Sequence, residues 1–219
     1  VEFTDVVRQR RMVRRYRSEP VERALIDRLL TLAVRAPSAG FSQGWHFLVL
    51  DDEAAVGAYW SATLDPERQQ APPDRWLRGL QSAPVLIVVF AERAAYERRY
   101  AAADKSGGAP VDLERRWPVP YWVIDAGTAA GYLLLAATDA GLGACWFGVP
   151  TDRVAALADA FAVPPGFVPV GTVSLGFAAE PESSSPEPDK SGNPSRPVRR
   201  PQAEVVSYGR FSSVPAAGD

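Results

Sequence analysis

The sequence predicts an α+β sandwich, a central sheet covered by helices on both faces. Three observations carry this prediction. Residues 85–90 (Val85-Leu86-Ile87-Val88-Val89-Phe90) are a β-branched run of strand length with no polar break, the pattern of an interior strand buried on both sides. Residues 125–140 are rich in Ala and Leu and apolar on nearly every helical face, which suits a helix at the centre of a fold or at a subunit interface. Around these two segments, short strand-like runs alternate with helical ones.

In chain order, Phe3, Val6, Val7 and Arg10 follow helical spacing, and Ser18-Glu19-Pro20 turns the chain. A helix is predicted over 21–35, with Leu25, Leu29, Leu32 and Ala36 on one stripe. Pro37 stops it, and Ser38-Ala39-Gly40 makes a small-residue turn. A strand over 45–50 leads through a loop at Asp51 to a surface helix over 53–64. A polar, proline-containing segment (65–73) precedes a short helix over 74–81 and, after Pro84, the buried strand. Residues 92–103 read as helix, with Tyr96 and Tyr100 one turn apart. Residues 106–110 read as a loop and 117–122 as an aromatic stretch broken by Pro118 and Pro120. The apolar helix over 125–140 closes at Gly141. A strand at 143–147, a helix at 152–161 and a second buried strand at 168–177 follow. Residues 180–197 are rich in Ser, Pro and Glu without periodicity, as in a linker or extended arm, and strand character returns at 202–208. No repeat is present. The expected organisation is one domain over 1–179, with 180–219 a linker and C-terminal arm.

Composition narrows the function. The 219 residues are 47% apolar, enough for one substantial core. A net charge of −2 and a pI near 5.6 argue against a nucleic-acid partner. One cysteine, Cys145, excludes an internal disulfide framework and a cysteine zinc site, and it reads as a small buried hydrophobe. No apolar run is long enough to span a membrane and no signal peptide is visible, so no membrane partner and a cytoplasmic location are expected. The single histidine, His46, argues against histidine acid–base catalysis, a Ser-His-Asp triad and a multi-histidine metal site, so no metal is predicted and His46 reads as structural. If the protein is an enzyme, an organic cofactor supplies the difficult chemistry.

Against this acidic background, six of 24 basic residues fall between Arg8 and Arg17. Guanidinium forks at the end of a short helix match the oxygens of a phosphate. A solvated basic surface is the other reading of this stretch taken alone.

Four stretches give the cluster a context. They are Arg10-Arg11-Met12-Val13-Arg14-Arg15-Tyr16 with Pro20, and Ala36-Pro37-Ser38-Ala39-Gly40-Phe41-Ser42-Gln43-Gly44-Trp45. The third is Asp125-Ala126-Gly127 with Gly141-Leu142-Gly143-Ala144-Cys145-Trp146-Phe147-Gly148, and the fourth is Arg199-Arg200-Pro201 with Glu204-Val205-Val206. In this order and spacing they resemble the nitroreductase family of FMN-dependent oxidoreductases. The resemblance implies a three-layer α/β/α sandwich with a central mixed, largely antiparallel sheet and an extended C-terminal arm that completes the same domain or that of a partner. It also implies a homodimer with FMN at the interface.

The resemblance assigns roles. Arg10, with Arg11 and Met12 beside it, would contact the FMN phosphate, and Arg14 would face the flavin edge where reduction builds negative charge. Pro37, Ser38 and Ala39 would pack against a flavin, in this family usually one bound by the other subunit, and Gln43 would hydrogen-bond the flavin or its supporting loop. Phe147 and Gly148 would point backbone N–H groups at flavin N5. Arg199 and Arg200 would approach the phosphate from the arm. Tyr96, Tyr100, Trp117 and Tyr121 fall where relatives carry a cap over the flavin, and some of them would line a substrate pocket. Two departures stand out: Met12 replaces a usual Ser, and Gly40-Phe41 and Gly44 replace the usual Asn and Pro. An Asp at position 12 would have pointed to relatives that consume flavin to make dimethylbenzimidazole, and Met12 argues against that chemistry. The implied activity is ping-pong reduction of a nitroaromatic or quinone-like small molecule by NAD(P)H. An FMN-dependent dehydrogenase or oxidase of a biosynthetic intermediate and a non-catalytic flavin-binding protein are the alternatives.

Overall fold

The structure, a computed structural model, describes residues 2–179 and 199–211. The chain forms two compact units, Val1–Ala179 and Glu180–Asp219. In the first, helix α1 (Phe3–Gln9) and helix α2 (Arg23–Ala33) precede strand β1 (Trp45–Leu50) and helices α3 (Glu53–Thr63), α4 (Pro66–Gln70) and α5 (Arg75–Gln81). Strand β2 (Val85–Glu92) leads to helices α6 (Arg93–Ala101), α7 (Ala103–Ser106), α8 (Leu113–Arg116) and α9 (Tyr121–Asp139). Strand β3 (Gly143–Phe147), helix α10 (Val154–Ala160) and strand β4 (Phe167–Gly176) complete the unit.

The sheet order is β1-β2-β4-β3, and every strand pair is antiparallel. Among the described residues, the mixed character expected of the sheet is confined to one isolated parallel bridge, Met12 with Ala144. β2 is an interior strand, as its unbroken apolar run predicts, and Val85 through Ala91 are all buried. Its side chains alternate between the two layers. Val85 and Ile87 meet Ile26, Leu29 and Ala33 of α2 and Leu133 and Ala137 of α9. Leu86, Val88 and Phe90 meet Tyr59 and Trp60 of α3, Leu77 and Leu80 of α5, and Leu157 of α10. Each large aliphatic side chain so buried contributes roughly 1.5–3 kcal/mol. This is the predicted three-layer sandwich.

β4 carries Pro169, which removes a ladder donor, and the strand accommodates it at a bulge. Val89 pairs with Gly171 and Phe90 with Pro169, so Val170 is the extra residue. Gly171 is required there, since a Cβ would stand 2.4 Å from the Trp146 ring. The buried polar residues of β4 are satisfied: the Tyr59 hydroxyl bonds Thr172 Oγ1 at 2.8 Å and the Tyr16 hydroxyl bonds Ser174 Oγ at 2.7 Å.

Three expectations need correction, and one helix was not predicted. Residues 65–73 contain α4, because Asp65 accepts from the Arg68 N–H at 2.8 Å with Pro66 in the first turn. α8, capped by Asp112, lies between the loop at 106–110 and the aromatic stretch at 117–122, where no element was predicted. α9 starts at Tyr121 rather than Asp125, since Pro120 sits just before its first turn. In the second unit, 202–208 is not a strand. It holds helix α11 (Gln202–Val205), and no strand pairs with it among the described residues. The expected linker over 180–197 lies outside the described residues. No helix among the described residues is long and apolar enough to cross a membrane.

Candidate functional site

The arginine segment is fixed along the edge of β3. Arg10 ends α1, its N–H bonding the Val6 carbonyl at 3.0 Å. The Val13 N–H then donates to the Ala144 carbonyl at 2.9 Å, and Gly143 leaves room for the Val13 side chain, which a Cβ would meet at 2.7 Å. Gly79 of α5 abuts the Arg14 backbone so closely that a Cβ would stand 2.2 Å from the carbonyl oxygen. Tyr16 pins the far end. Its N–H donates to Ser82 Oγ at 3.0 Å, its hydroxyl donates to the Val13 carbonyl, and its backbone bridges Ala178. Burial raises the Tyr16 phenol above its ordinary range.

Within this fixed segment Arg11 and Arg14 stay exposed, while Arg10 is half-buried. Arg10 Nη1 is buried without a hydrogen-bond partner among the described residues, as is Trp60 Nε1. An unsatisfied buried donor costs about 1–3 kcal/mol, more when charged. Met12 turns toward β3, where its Sδ accepts the Trp146 N–H at 3.5 Å. Cys145 is buried, and burial pushes its thiol up while the nearby Arg14 guanidinium pulls the other way. That environment fits the structural reading of Cys145. Phe147 ends β3 with its ring stacked on Trp60 at 5.8 Å and edge-on to Tyr59 and Trp76. Gly148 is exposed beyond it, and a Cβ there would meet nothing within 4 Å. Arg10, Arg11, Met12, Arg14, Phe147 and Gly148 therefore share one edge of the sheet.

Pro37, Ser38, Ala39 and Gln43 lie elsewhere. Their loop enters β1, and β1 and β3 are opposite edges of the sheet, about 14 Å apart at three strand spacings. The loop is strained. Gly40, Phe41 and Gln43 have φ of 63°, 57° and 50°, and each left-handed non-glycine residue costs about 1 kcal/mol. Side chains from two helices hold it. Asp125 Oδ2 of α9 accepts both the Ala39 N–H and the Tyr96 hydroxyl, each at 2.7 Å, and Arg99 Nε of α6 donates to the Gly40 carbonyl at 2.8 Å. The Gln43 N–H donates to Ser38 Oγ at 3.0 Å, and the Gln43 side chain is exposed.

Of the four aromatic residues expected at a substrate pocket, Tyr96 is fully buried and Tyr100 nearly so. Burial, then the bond to Asp125, raises the Tyr96 phenol above its ordinary range. Trp117 and Tyr121 are half-buried, with ring centroids 5.1 Å apart, and only these two keep surface for a ligand. His46 is exposed on β1, its ring edge-on to Phe167 at 5.7 Å. Arg199 and Arg200 belong to the second unit. Both are exposed, and Arg200 pairs with Glu204 at 3.2 Å. Sequence reasoning gave no role to Asp125, Arg99 or Gly79. Asp125 carried a signal, because a carboxylate inside an otherwise apolar helix must find donors.

The comparisons with known proteins agree with this architecture. The model of the nitroreductase family matches residues 7–177. A protein of Methanothermobacter thermautotrophicus, provisionally named NADH dehydrogenase/NAD(P)H nitroreductase, is 28% identical over 82% of this chain and 79% of its own. The 5,6-dimethylbenzimidazole synthase of Rhodospirillum rubrum is 33% identical over 85% and 86%. Among solved structures, a provisionally named nitroreductase of Desulfovibrio desulfuricans in complex with FMN is 26% identical, with a TM-score of 0.66 over 97% of this chain and 99% of that one. By the family match and the shared fold, the chain belongs to the nitroreductase family.

Proposed function

We propose that the protein is an FMN-dependent oxidoreductase that uses NAD(P)H to reduce an electron-poor small molecule, such as a nitroaromatic or a quinone. The observation that carries this reading is the buried Nη1 of Arg10, which has no hydrogen-bond partner among the described residues, on a backbone segment held against β3 that also carries Arg11 and Arg14. A phosphate oxygen is the acceptor that donor lacks. The FMN bound by the Desulfovibrio desulfuricans relative supports the choice of cofactor.

Arg10 and Arg11 hold the phosphate. Met12 occupies a phosphate-side position with its sulfur engaged on β3 instead of offering a hydroxyl. Bound FMN supplies the hydride chemistry. The chain supplies a cation at Arg14 for the negative charge that reduction creates, and backbone N–H donors at Phe147 and Gly148 that need no titrating side chain. Pro37, Ser38, Ala39 and Gln43 give a small, close-packing surface for the ring, while Trp117 and Tyr121 line the approach of the acceptor. The position of this loop on the sheet edge opposite the arginines favours a site assembled from two copies, hence a homodimer. The protein is assigned to the cytoplasm, without nucleic-acid or membrane partners.

The Rhodospirillum rubrum relative favours a second reading, an FMN-dependent oxidase of a biosynthetic intermediate. One spectrum separates the two. The purified protein is expected to show flavin absorbance that bleaches under anaerobic NADH or NADPH. Flavin that stays oxidised favours the second reading, and failure to take up added FMN overturns both. Arg10→Ala is expected to weaken FMN binding about 10- to 100-fold, the worth of a charged hydrogen bond.

A further inference from the structure

We propose that Asp125 is the positioning residue of the flavin-stacking loop, acting through Ala39 and Tyr96; the inference rests on the FMN reading above. The carboxylate is buried on α9. Its Oδ2 is the shared acceptor for two donors that grip opposite ends of the loop. At the loop's start the Ala39 N–H, first of a short turn and without a side-chain cap, donates to Asp125 at 2.7 Å. At its end Gly44 lies under the Tyr96 ring, where a Cβ would stand 2.5 Å from Tyr96 Cε2, and the Gly44 carbonyl accepts the Glu92 N–H at 2.8 Å. The Tyr96 hydroxyl then returns to the same Asp125 oxygen at 2.7 Å. Asp125 therefore fixes where the loop begins and orients the ring against which it ends.

Between these two anchors lie the left-handed residues Gly40, Phe41 and Gln43. Backbone in this region relaxes unless its surroundings over-determine it. Arg99 adds a further hold from outside the loop, on the Gly40 carbonyl, and is itself fixed by two bonds to Asp104. Within the loop the Phe41 N–H donates to the Ser38 carbonyl at 2.9 Å and the Gln43 N–H to Ser38 Oγ at 3.0 Å. Phe41 stays 75% exposed, so packing of its own side chain does not secure the loop. Asp125 touches neither substrate nor cofactor in this scheme. Its effect reaches the flavin through the shape of residues 38–43. A carboxylate so buried makes no ion pair with a cation among the described residues, and its two donors are therefore its stabilising partners.

The test uses Asp125→Asn and Tyr96→Phe in the full chain. Hydrogen exchange of residues 38–44 is measured without FMN, and FMN affinity and the visible spectrum of the bound flavin are measured after loading. Both variants are expected to speed exchange of the loop amides, about tenfold for Asp125→Asn, while the amides of β2 stay protected. FMN affinity is expected to fall about tenfold in Asp125→Asn and less in Tyr96→Phe, with a shifted flavin band in both. The double variant is expected to add little to Asp125→Asn, since both act through one oxygen. Unchanged loop exchange in a folded Tyr96→Phe overturns the proposal, whatever FMN does. Faster loop exchange with an unaltered flavin spectrum and affinity overturns it too, because Asp125 would then be structural alone. A wild-type chain that takes up no FMN removes the functional reading, and the loop-exchange arm still decides whether Asp125 fixes this loop.

Discussion

Tyr59 shows at the scale of one residue how the sheet's second face supports the end of β3. Its ring is fully buried between Trp60 and Phe147, and its hydroxyl bonds Thr172 Oγ1 at 2.8 Å. Burial pushes the phenol up to about 12. The unfolded chain ionises the same group near its ordinary value of about 10. Stability from keeping Tyr59 neutral is therefore complete below pH 10 and is lost as the pH climbs toward 12, about 3 kcal/mol across that window. Tyr59→Phe should cost about 1 kcal/mol at pH 8, the net worth of one neutral hydrogen bond. Between pH 10 and 12 its stability should fall less steeply than that of the wild type. Urea unfolding across this range measures both curves, and parallel curves would show that Tyr59 does not titrate with folding. The sequence disclosed part of this residue's role. It placed Tyr59 on a helix, but nothing in a linear pattern revealed that its hydroxyl would pair with that of Thr172, 113 positions away.

Among the elements, α5 is the one that sets the arginine segment. Gly79 faces the Arg14 carbonyl, and an added Cβ would lie 2.2 Å from that oxygen. No rotamer relieves a contact with backbone, so Gly79→Ala must move either α5 or the segment from Arg10 to Tyr16. Helix propensity alone would favour Ala by up to about 1 kcal/mol. The clash should outweigh it, for a net loss of about 1–3 kcal/mol with weakened FMN binding. Gly57→Ala on α3 is the control, because a Cβ there meets nothing within 4 Å, and it should gain roughly 0.5–1 kcal/mol. Thermal unfolding of both variants tests the pair, and equal shifts would remove the case for Gly79 as a spacer. Elements with strong periodicity or burial were legible in the sequence: β1, β2, β3 and the body of α9 fall where the patterns put them. Those that depend on a single cap were not. α4 and α8 rest on Asp65 and Asp112 as N-caps, a local signal present in the residues but outweighed by the prolines around it. For 202–208 the β-branched pair Val205-Val206 suggested a strand, yet a strand requires a partner and a four-residue helix does not.

For the whole molecule, the proposed homodimer turns on how the site residues and the exposed apolar surface are spread over one chain. The proposed site residues divide between the two edges of one sheet: the resemblance implied that Pro37 would serve a flavin held by another subunit, and the strand order places its loop and Arg14 on opposite edges. The first unit also leaves an apolar face uncovered. Phe3, Val6, Leu32, Tyr132, Leu135 and Ala136, together with Asp139, line a groove of about 390 Å³ between α1, α2 and α9. Leu32 and Tyr132 are 50% and 40% exposed, although both sit on helices whose other faces form the core. An apolar helix of this kind suits a subunit interface, as its composition predicts, and a second copy of the chain is the occupant proposed here. Leu32→Asp places a charge in that face without touching the single-chain core. The cost of burying an unpaired carboxylate is several kcal/mol, so the dimer should weaken by more than 100-fold. Sedimentation at micromolar concentration should find the wild type as a dimer and Leu32→Asp as a folded monomer by circular dichroism. If the loop from Pro37 to Gln43 serves a flavin held by the partner, the monomer should also lose FMN as it dissociates. A variant that stays dimeric would place the interface elsewhere, and a folded monomer that retains FMN with wild-type affinity would put the complete site within a single chain.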